Sequence, residues 1–169
     1  ARAAAVAAIN KLVVGRDRIG VIAFDDRASV VQPFEDLTEA VKKSCVSRIN
    51  ELVPKGGTNI AVPTIDALEI FGTAVPVGNK LLLVMTDGQD NNLQSAVERI
   101  DRMSDEAGVP VFTIAFGDEH PATAERLREI ATKCDGEFIH APTAEQLSQI
   151  FRSRVEELTK EFLLTYDSP

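Results

Sequence analysis

The chain is short of basic residues and of cysteines, and both shortages narrow the range of functions. Its 169 residues include 18 Lys and Arg against 26 Asp and Glu, which gives a net charge of −8 and a pI near 4.8. A surface with this balance repels phosphate groups, so nucleic acids and anionic membranes are poor partners. Basic partners, or acidic partners bridged by a metal ion, fit the charge better.

The two cysteines, Cys45 and Cys134, are far apart in the sequence. Zinc sites and disulfide frameworks use several cysteines at short spacings, so we expect two free, semi-buried thiols. The two histidines, His120 and His140, have no cysteine or serine partner nearby in the sequence, and we expect both to lie at the surface.

Long apolar runs are also absent. No stretch approaches the roughly 18 apolar residues that cross a bilayer, and the first residues lack the pattern of a signal peptide. We therefore expect no membrane insertion of this segment. A hydrophobic content of 44% in 169 residues is enough for one substantial core, and predicts a single globular domain.

Strand and helix patterns alternate along the chain. Apolar runs at 19–24 and 28–32 predict a hairpin, with Asp25 and Asp26 in its turn. The alternation predicts an α/β three-layer sandwich with a mostly parallel central sheet, one antiparallel edge hairpin and helices on both faces. The other predicted strands are 80–85, 109–115 and 137–140, and the predicted helices are 1–14, 38–52, 60–71, 92–106, 123–133 and 143–159.

Acidic side chains collect where the predicted strands end. The carboxyl ends of parallel strands emerge at one edge of a sheet, where α/β proteins usually build their sites. Carboxylates and hydroxyls suit Mg²⁺, Mn²⁺ or Ca²⁺ and not zinc. Asp118 and Glu119 are expected to be ordinary solvated loop acids. The acids expected at this edge are Asp25, Asp26, Asp87, Asp90, Asp118 and Glu119.

Two motifs stand out at this edge. An apolar run from Leu81 ends in Thr86-Asp87-Gly88, and Gly56-Gly57-Thr58-Asn59 opens an apolar helix. As metal ligands, Thr58 would coordinate through its hydroxyl, and Asp87 would supply negative charge directly or through a water molecule. The alternatives are that Thr58 caps the helix after it and that Asp87 only starts a turn. Asp90 and Asn59 are expected to cap helices or support the site instead of binding metal directly.

In their order and context, these motifs resemble the second and third loops of the metal-ion-dependent adhesion site of von Willebrand factor type A domains. Residues 18–25 look like the second strand of that family and residues 109–117 like its fifth. The resemblance covers residues 1 to about 159. It implies a non-enzymatic protein-binding module in which Thr58 and Asp87 hold Mg²⁺, Mn²⁺ or Ca²⁺, and in which the metal binds an acidic side chain of a partner.

The first loop of that site, Asp-x-Ser-x-Ser, has no counterpart here, because the sequence begins inside the helix that should follow it. The resemblance therefore implies a type A domain over 1–159 that lacks its first strand, with a gap in the sheet and metal binding that is weak or absent. We expect the parent protein to supply the missing part upstream. Residues 160–169 resemble the start of a linker or strand leading to a further domain in bacterial surface or secreted proteins, which favours an extracytoplasmic location.

A magnesium-dependent phosphohydrolase with Asp87 as ligand or nucleophile is the competing interpretation. The chain has no Asp-x-Asp after an early strand, no Gly-x-x-x-x-Gly-Lys-Ser/Thr loop and no Gly-x-Ser-x-Gly elbow, and we therefore predict no enzymatic activity. A third interpretation is an interaction module whose metal site no longer binds metal.

Overall fold

The computed structural model describes residues 2–53, 57–74, 80–87, 90, 93–117, 120–143, 145–147, 149, 150 and 153. The order of helices and strands is the predicted one. Of the predicted closing helix, residues 145–147, 149, 150 and 153 are helical, and its end and the tail 160–169 lie outside the described residues. The elements are α1 Arg2–Lys11, β1 Arg18–Phe24, β2 Ala28–Asp36, α2 Glu39–Glu51, α3 Ala61–Ala74, β3 Leu82–Thr86, α4 Val97–Ala107, β4 Val111–Phe116, α5 Pro121–Lys133 and β5 Phe138–Ala141.

The described strands form two sheets, which confirms the α/β class. β1 and β2 form a hairpin joined by a short turn at 25–27, so they run antiparallel. The second sheet has the order β3-β4-β5, and both of its strand pairs are parallel. Among the described residues, the hairpin and the three-stranded sheet are separate sheets. β4 is the central strand and is buried along most of its length.

Several element boundaries differ from the sequence prediction for local reasons. β2 continues past Gln32 through Pro33 to Asp36, because an edge strand tolerates a residue without an N–H group. The helix predicted at 92–106 begins instead as a 3₁₀ turn, Leu93–Ala96. α5 begins at Pro121 and not at Thr123, since the fixed φ of proline suits the first helical position.

The described residues divide into two compact units. One comprises the described residues within 1–21, 31–52 and 143–169, and the other comprises those within 22–30 and 53–142. In the first unit, α1 and α2 pack together and long cationic side chains cap their ends. Arg2 donates to the carbonyl oxygen of Leu52 (2.8 Å), and Lys42 donates to that of Leu12 (3.0 Å). Cations are favoured at helix C-termini, where carbonyl groups lack partners.

The larger hydrophobic core lies in the second unit. α3 packs against α4, and α5 packs on β4 and β5. No helix of the described residues is long and apolar enough to cross a membrane. Fully buried members of this core include Ile60, Leu68, Leu93, Ile100, Val111 and Leu127.

Both cysteines are free, as predicted, but they are more deeply buried than expected. Cys45 is 0% exposed and Cys134 is 1% exposed. Burial disfavours the thiolate, and it raises the pKa of Cys45 and raises the pKa of Cys134 to about 11. At neutral pH both side chains are packed, uncharged thiols.

Candidate functional site

Parallel pairing brings the carboxyl ends of three strands to one edge. Thr86, the last residue of β3, is in register with Ala115 near the end of β4, and Phe116 is in register with Ala141 at the end of β5. Asp87 follows β3 directly and is exposed, whereas Thr86 is buried. The end of β3 therefore places the Asp87 carboxylate in solvent at this edge of the sheet. Among the described residues, no hydrogen bond or ion pair holds that carboxylate.

The loop before α3 is anchored through Asn59. Its backbone N–H donates to the carbonyl oxygen of Asp25 (2.8 Å), and its side-chain Oδ1 accepts from the N–H of Val62 (3.1 Å). Asn59 therefore caps α3, as predicted, and Thr58 does not perform that role. Thr58 is half-buried, and within the described residues its hydroxyl has no hydrogen bond.

Asp90 connects this loop to the segment after β3. Its Oδ2 accepts from the backbone N–H of Ile60 at 2.8 Å, and the side chain is only 8% exposed. The bond joins the residues that closely follow Thr58 to those that closely follow Asp87. Asp90 is thus a supporting group, which agrees with the sequence prediction.

The hairpin turn also reaches the loop before α3. Asp25 Oδ1 accepts from the N–H of Arg27 (2.9 Å), which confirms the predicted turn. Asp26 is exposed, and its carboxylate lies against the Cα of Gly57. A Cβ at that position would stand 2.0 Å from Asp26 Oδ1, so a larger residue there requires the exposed Asp26 side chain to shift.

An open cleft lies beside Asp87. It is shallow, because its enclosed part measures about 10 Å³, room for about one water molecule. Sequence reasoning found Asp87 but missed Thr123, because Thr123 was assigned to the start of the helix and its position beside β3 depends on tertiary packing. The lining residues are Thr86, Asp87, Ala115, Phe116, His120, Thr123, Ala124 and Leu127.

The two histidines occupy different positions near this edge, and both are exposed, as predicted. His120 precedes α5 and makes no side-chain capping bond. His140 lies in β5, with its Nε2 2.8 Å from the carbonyl oxygen of Gly117. Gly117 has a φ of +80°, which favours glycine at this turn after β4.

The donor set fits a hydrated hard cation and no more. The ligands predicted from the sequence, the Thr58 hydroxyl and the Asp87 carboxylate, are both oxygen donors, and no three His, Cys, Asp or Glu side chains of the described residues are grouped to hold a metal ion. Mg²⁺ keeps several waters and accepts few protein ligands. Gly56, Asp118 and Glu119 lie outside the described residues.

A family model for the von Willebrand factor type A domain matches residues 1–153. The chain is 24% identical over 118 residues to calcium-activated chloride channel regulator 1 of Sus scrofa, covering 70% of this chain and 12% of that protein. It is 27% identical over 172 residues to a UPF0353 protein of Nocardia farcinica, covering 85% of this chain and 51% of that protein. The chain thus spans about half or less of the length of these relatives.

Solved structures share the fold. A von Willebrand factor type A protein from Catenulispora acidiphila superposes with a TM-score of 0.82 at 23% identity, over 93% of this chain and 37% of that one. BatB from Bacteroides thetaiotaomicron gives 0.71 at 15% identity, over 94% and 86%. Proximal thread matrix protein 1 of the mussel byssus, with a zinc-occupied MIDAS motif, gives 0.68 at 23% identity, over 92% and 39%.

Proposed function

The chain belongs to the von Willebrand factor type A family, and from this we propose that it is a non-enzymatic module that binds an acidic group of a partner protein through a divalent metal ion. Members of this family generally act in protein interaction, and nothing in the described residues points to catalysis. In this proposal Thr58 and Asp87 are the metal ligands within the chain, and further ligands come from residues upstream of Ala1.

The observation that carries the proposal is the hydrogen bond from Ile60 to Asp90. It holds together the two loops that contain the proposed ligands, and it occupies Asp90 in doing so. The hydroxyl of Thr58 and the carboxylate of Asp87 have no partner within the described residues, so both are available to a cation. A bound cation supplies positive charge, and this chain's own residues hold and orient it.

We propose Mg²⁺ or Mn²⁺ as the metal, with Ca²⁺ as an alternative, held weakly by this chain. Two hard oxygen donors leave most coordination positions to water, which Mg²⁺ tolerates. The zinc-occupied motif of the mussel protein shows that a relative accepts a different divalent ion at its site, so a titration of this chain should include zinc.

Isothermal titration calorimetry with MnCl₂ and MgCl₂ tests the assignment. We expect a Kd of roughly 10⁻⁴ to 10⁻³ M or weaker, the range of weak cation sites. Thr58→Ala and Asp87→Ala should each abolish the measurable heat. Thr73→Ala is the matched control, because the Thr73 hydroxyl bonds to its own helix at Glu69.

Two results would contradict the assignment. Micromolar affinity would show that the site is complete in this chain, and unchanged binding by both ligand variants would place the metal elsewhere.

We also propose that residues 1–159 form a type A domain whose first strand is supplied upstream. Residues 160–169 lead to a further domain in this proposal. The parent is, in the same proposal, an extracytoplasmic bacterial protein. The relatives that support this location include an aerotolerance-related membrane protein from Bacteroides fragilis, similar in fold at a TM-score of 0.66 and 17% identity. A longer chain that includes the residues before Ala1 should bind Mn²⁺ more tightly, and equal affinity would contradict the proposal.

A further inference from the structure

The sequence contains an aspartate followed by a glycine at two positions, Asp87-Gly88 and Asp135-Gly136. Both aspartates are exposed, but their surroundings differ. We propose that Asp87 is a site of spontaneous isoaspartate formation, a covalent modification of the backbone, and that the fold protects Asp135 from the same reaction. The modification itself needs no metal ion, whereas its effect on metal binding rests on the function proposed above.

The reaction joins the Asp87 side chain to the backbone nitrogen of Gly88. The nitrogen attacks Cγ of the uncharged carboxyl group, a new N–Cγ bond forms, and the carboxyl hydroxyl leaves with the amide proton as water. Water then opens the resulting succinimide ring at one of two carbons. Attack at Cγ restores aspartate, and attack at the main-chain carbonyl carbon gives isoaspartate, in which the chain runs through Cβ and Cγ. The mass is unchanged, and no oxidant or cofactor takes part.

The position of Asp87 favours this reaction. Glycine hinders the attack least of all residues, because it has no Cβ. Asp87 lies directly after the last residue of β3, in an exposed bend. Within the part of the chain that the structure describes, no hydrogen bond or ion pair keeps its carboxyl group from turning towards the backbone.

The second pair lies in the turn between α5 and β5, and this turn restrains the attacking nitrogen. The N–H of Gly136 donates to the carbonyl oxygen of Ala131 (2.8 Å). A Cβ on Gly136 would overlap the carbonyl oxygen of Val111, so the backbone of the turn packs closely on β4. Ring closure at Asp135 therefore requires local opening of the turn, and such open states are sparsely populated.

Isoaspartate at position 87 would change the candidate site. The backbone gains one methylene group there, and the carboxylate moves from the end of the side chain to the α-carbon. Metal sites require donor distances within about 0.2 Å of their usual values. If Asp87 is a metal ligand, as proposed, the modified chain loses the metal, and partner binding declines as the molecule ages.

Peptide mapping of the aged chain tests the inference. The protein is kept for weeks in EDTA at physiological temperature, and isoaspartate is located by chromatography, fragmentation spectra and enzymatic methylation. Cleavage by trypsin places the two pairs in separate peptides, 81–99 and 134–152. We expect isoaspartate to accumulate at Asp87 at least about tenfold faster than at Asp135, the ratio that a modest opening free energy produces. Equal rates, or a faster reaction at Asp135, would overturn the proposal.

The same incubation in concentrated urea is the first control. Without the fold, the two Asp-Gly pairs should react at similar rates. A reaction at Asp135 that stays slow in urea would show that neighbouring residues protect it, and would overturn the protective role of the turn.

A pair of glycine variants is the second control. Gly88→Ala adds a methyl group beside the attacking nitrogen and should slow the reaction at Asp87 in the folded chain and in urea. Gly72→Ala, on α3, adds a Cβ that meets nothing within 4 Å and should leave the reaction unchanged. Equal rates at Asp87 in the two variants would contradict the mechanism.

This inference and the proposed function can fail separately. Isoaspartate at Asp87 with unchanged manganese binding by the purified isoaspartate form removes Asp87 from the metal site and leaves the modification. Manganese binding that depends on Asp87, without isoaspartate formation there, removes only the modification.

Discussion

At the scale of single residues, Asp90 is the side chain on which the candidate site most depends. Asp90→Ala removes the acceptor of the Ile60 N–H, which is buried, and we expect the free energy of unfolding to fall by about 1–3 kcal/mol. Urea denaturation measures the loss. The control is Asp105→Ala at an exposed position of α4, which should change stability by less than about 0.5 kcal/mol. Equal effects at both positions would show that the bond contributes nothing.

Cys134 gives a prediction about pH. Burial is the largest cause that raises the pKa of its thiol from 9.0 to about 11 in the folded chain. The unfolded thiol therefore loses its proton first, so this contribution to stability is complete below pH 9 and is lost as the pH rises towards 11. Urea midpoints between pH 8 and 11 should fall more steeply in the native sequence than in Cys134→Ala. Parallel curves would contradict the assignment.

The same raised pKa predicts low reactivity. At pH 8 the folded chain should not react with a disulfide reagent at Cys134, because the thiolate is the reactive form and the side chain is 1% exposed. Rapid labelling without denaturant would show that the thiol is accessible.

At the scale of elements, the turn between α5 and β5 is held in close contact with β4. A Cβ at Gly136 would lie 2.0 Å from the carbonyl oxygen of Val111, a backbone atom that cannot rotate away. Gly136→Ala should therefore destabilise the fold by about 1–3 kcal/mol. In the control Gly72→Ala, on α3, a Cβ meets nothing within 4 Å, and the change should stabilise by up to about 1 kcal/mol. Thermal unfolding of the two variants would contradict this prediction if their order were reversed.

The elements that were predicted well from the sequence are those whose apolar pattern lies within one short segment of the chain. Continuous apolar runs such as those that become β3 and β4 are typical of strands in parallel sheets, and this signal is visible in the residues themselves. The predicted start of α5 at Thr123 and the predicted end of β2 at Gln32 were wrong. Each boundary involves a proline, and whether a proline fits in a helix or a strand depends on its position in the fold.

Of the candidate site, the supporting residues were predicted correctly, and metal binding by Thr58 and Asp87 stays a prediction. Thr58 and Asp87 belong to short motifs, and the supporting roles of Asn59 and Asp90 follow from residue types that often cap or brace loops. Thr123 could not be found, because nothing in the sequence tells which helix turn will lie beside the end of β3.

At the scale of the whole molecule, the net charge of −8 opposes the approach of the acidic partner that we propose. Salt screens this repulsion, with a Debye length of about 8 Å at 0.15 M ionic strength. The association rate of an acidic peptide, measured by stopped-flow fluorescence at saturating Mn²⁺, should therefore rise with NaCl concentration. A neutral peptide is the control and should show little change. A rate that falls with salt would contradict this prediction, because it would show net attraction between the acidic peptide and the metal-loaded chain.

The hydrogen bond between Ile60 and Asp90 also sets the stage of chain synthesis at which the proposed binding edge can form. Its two partners are separated by 30 positions, with α3 and β3 between them. A chain emerging from the ribosome therefore carries Thr58 long before it can brace the loop that holds it. The bond forms only when β3 and the residues after it have been synthesised and folded, so we expect an unfinished chain to lack the partner binding that we propose.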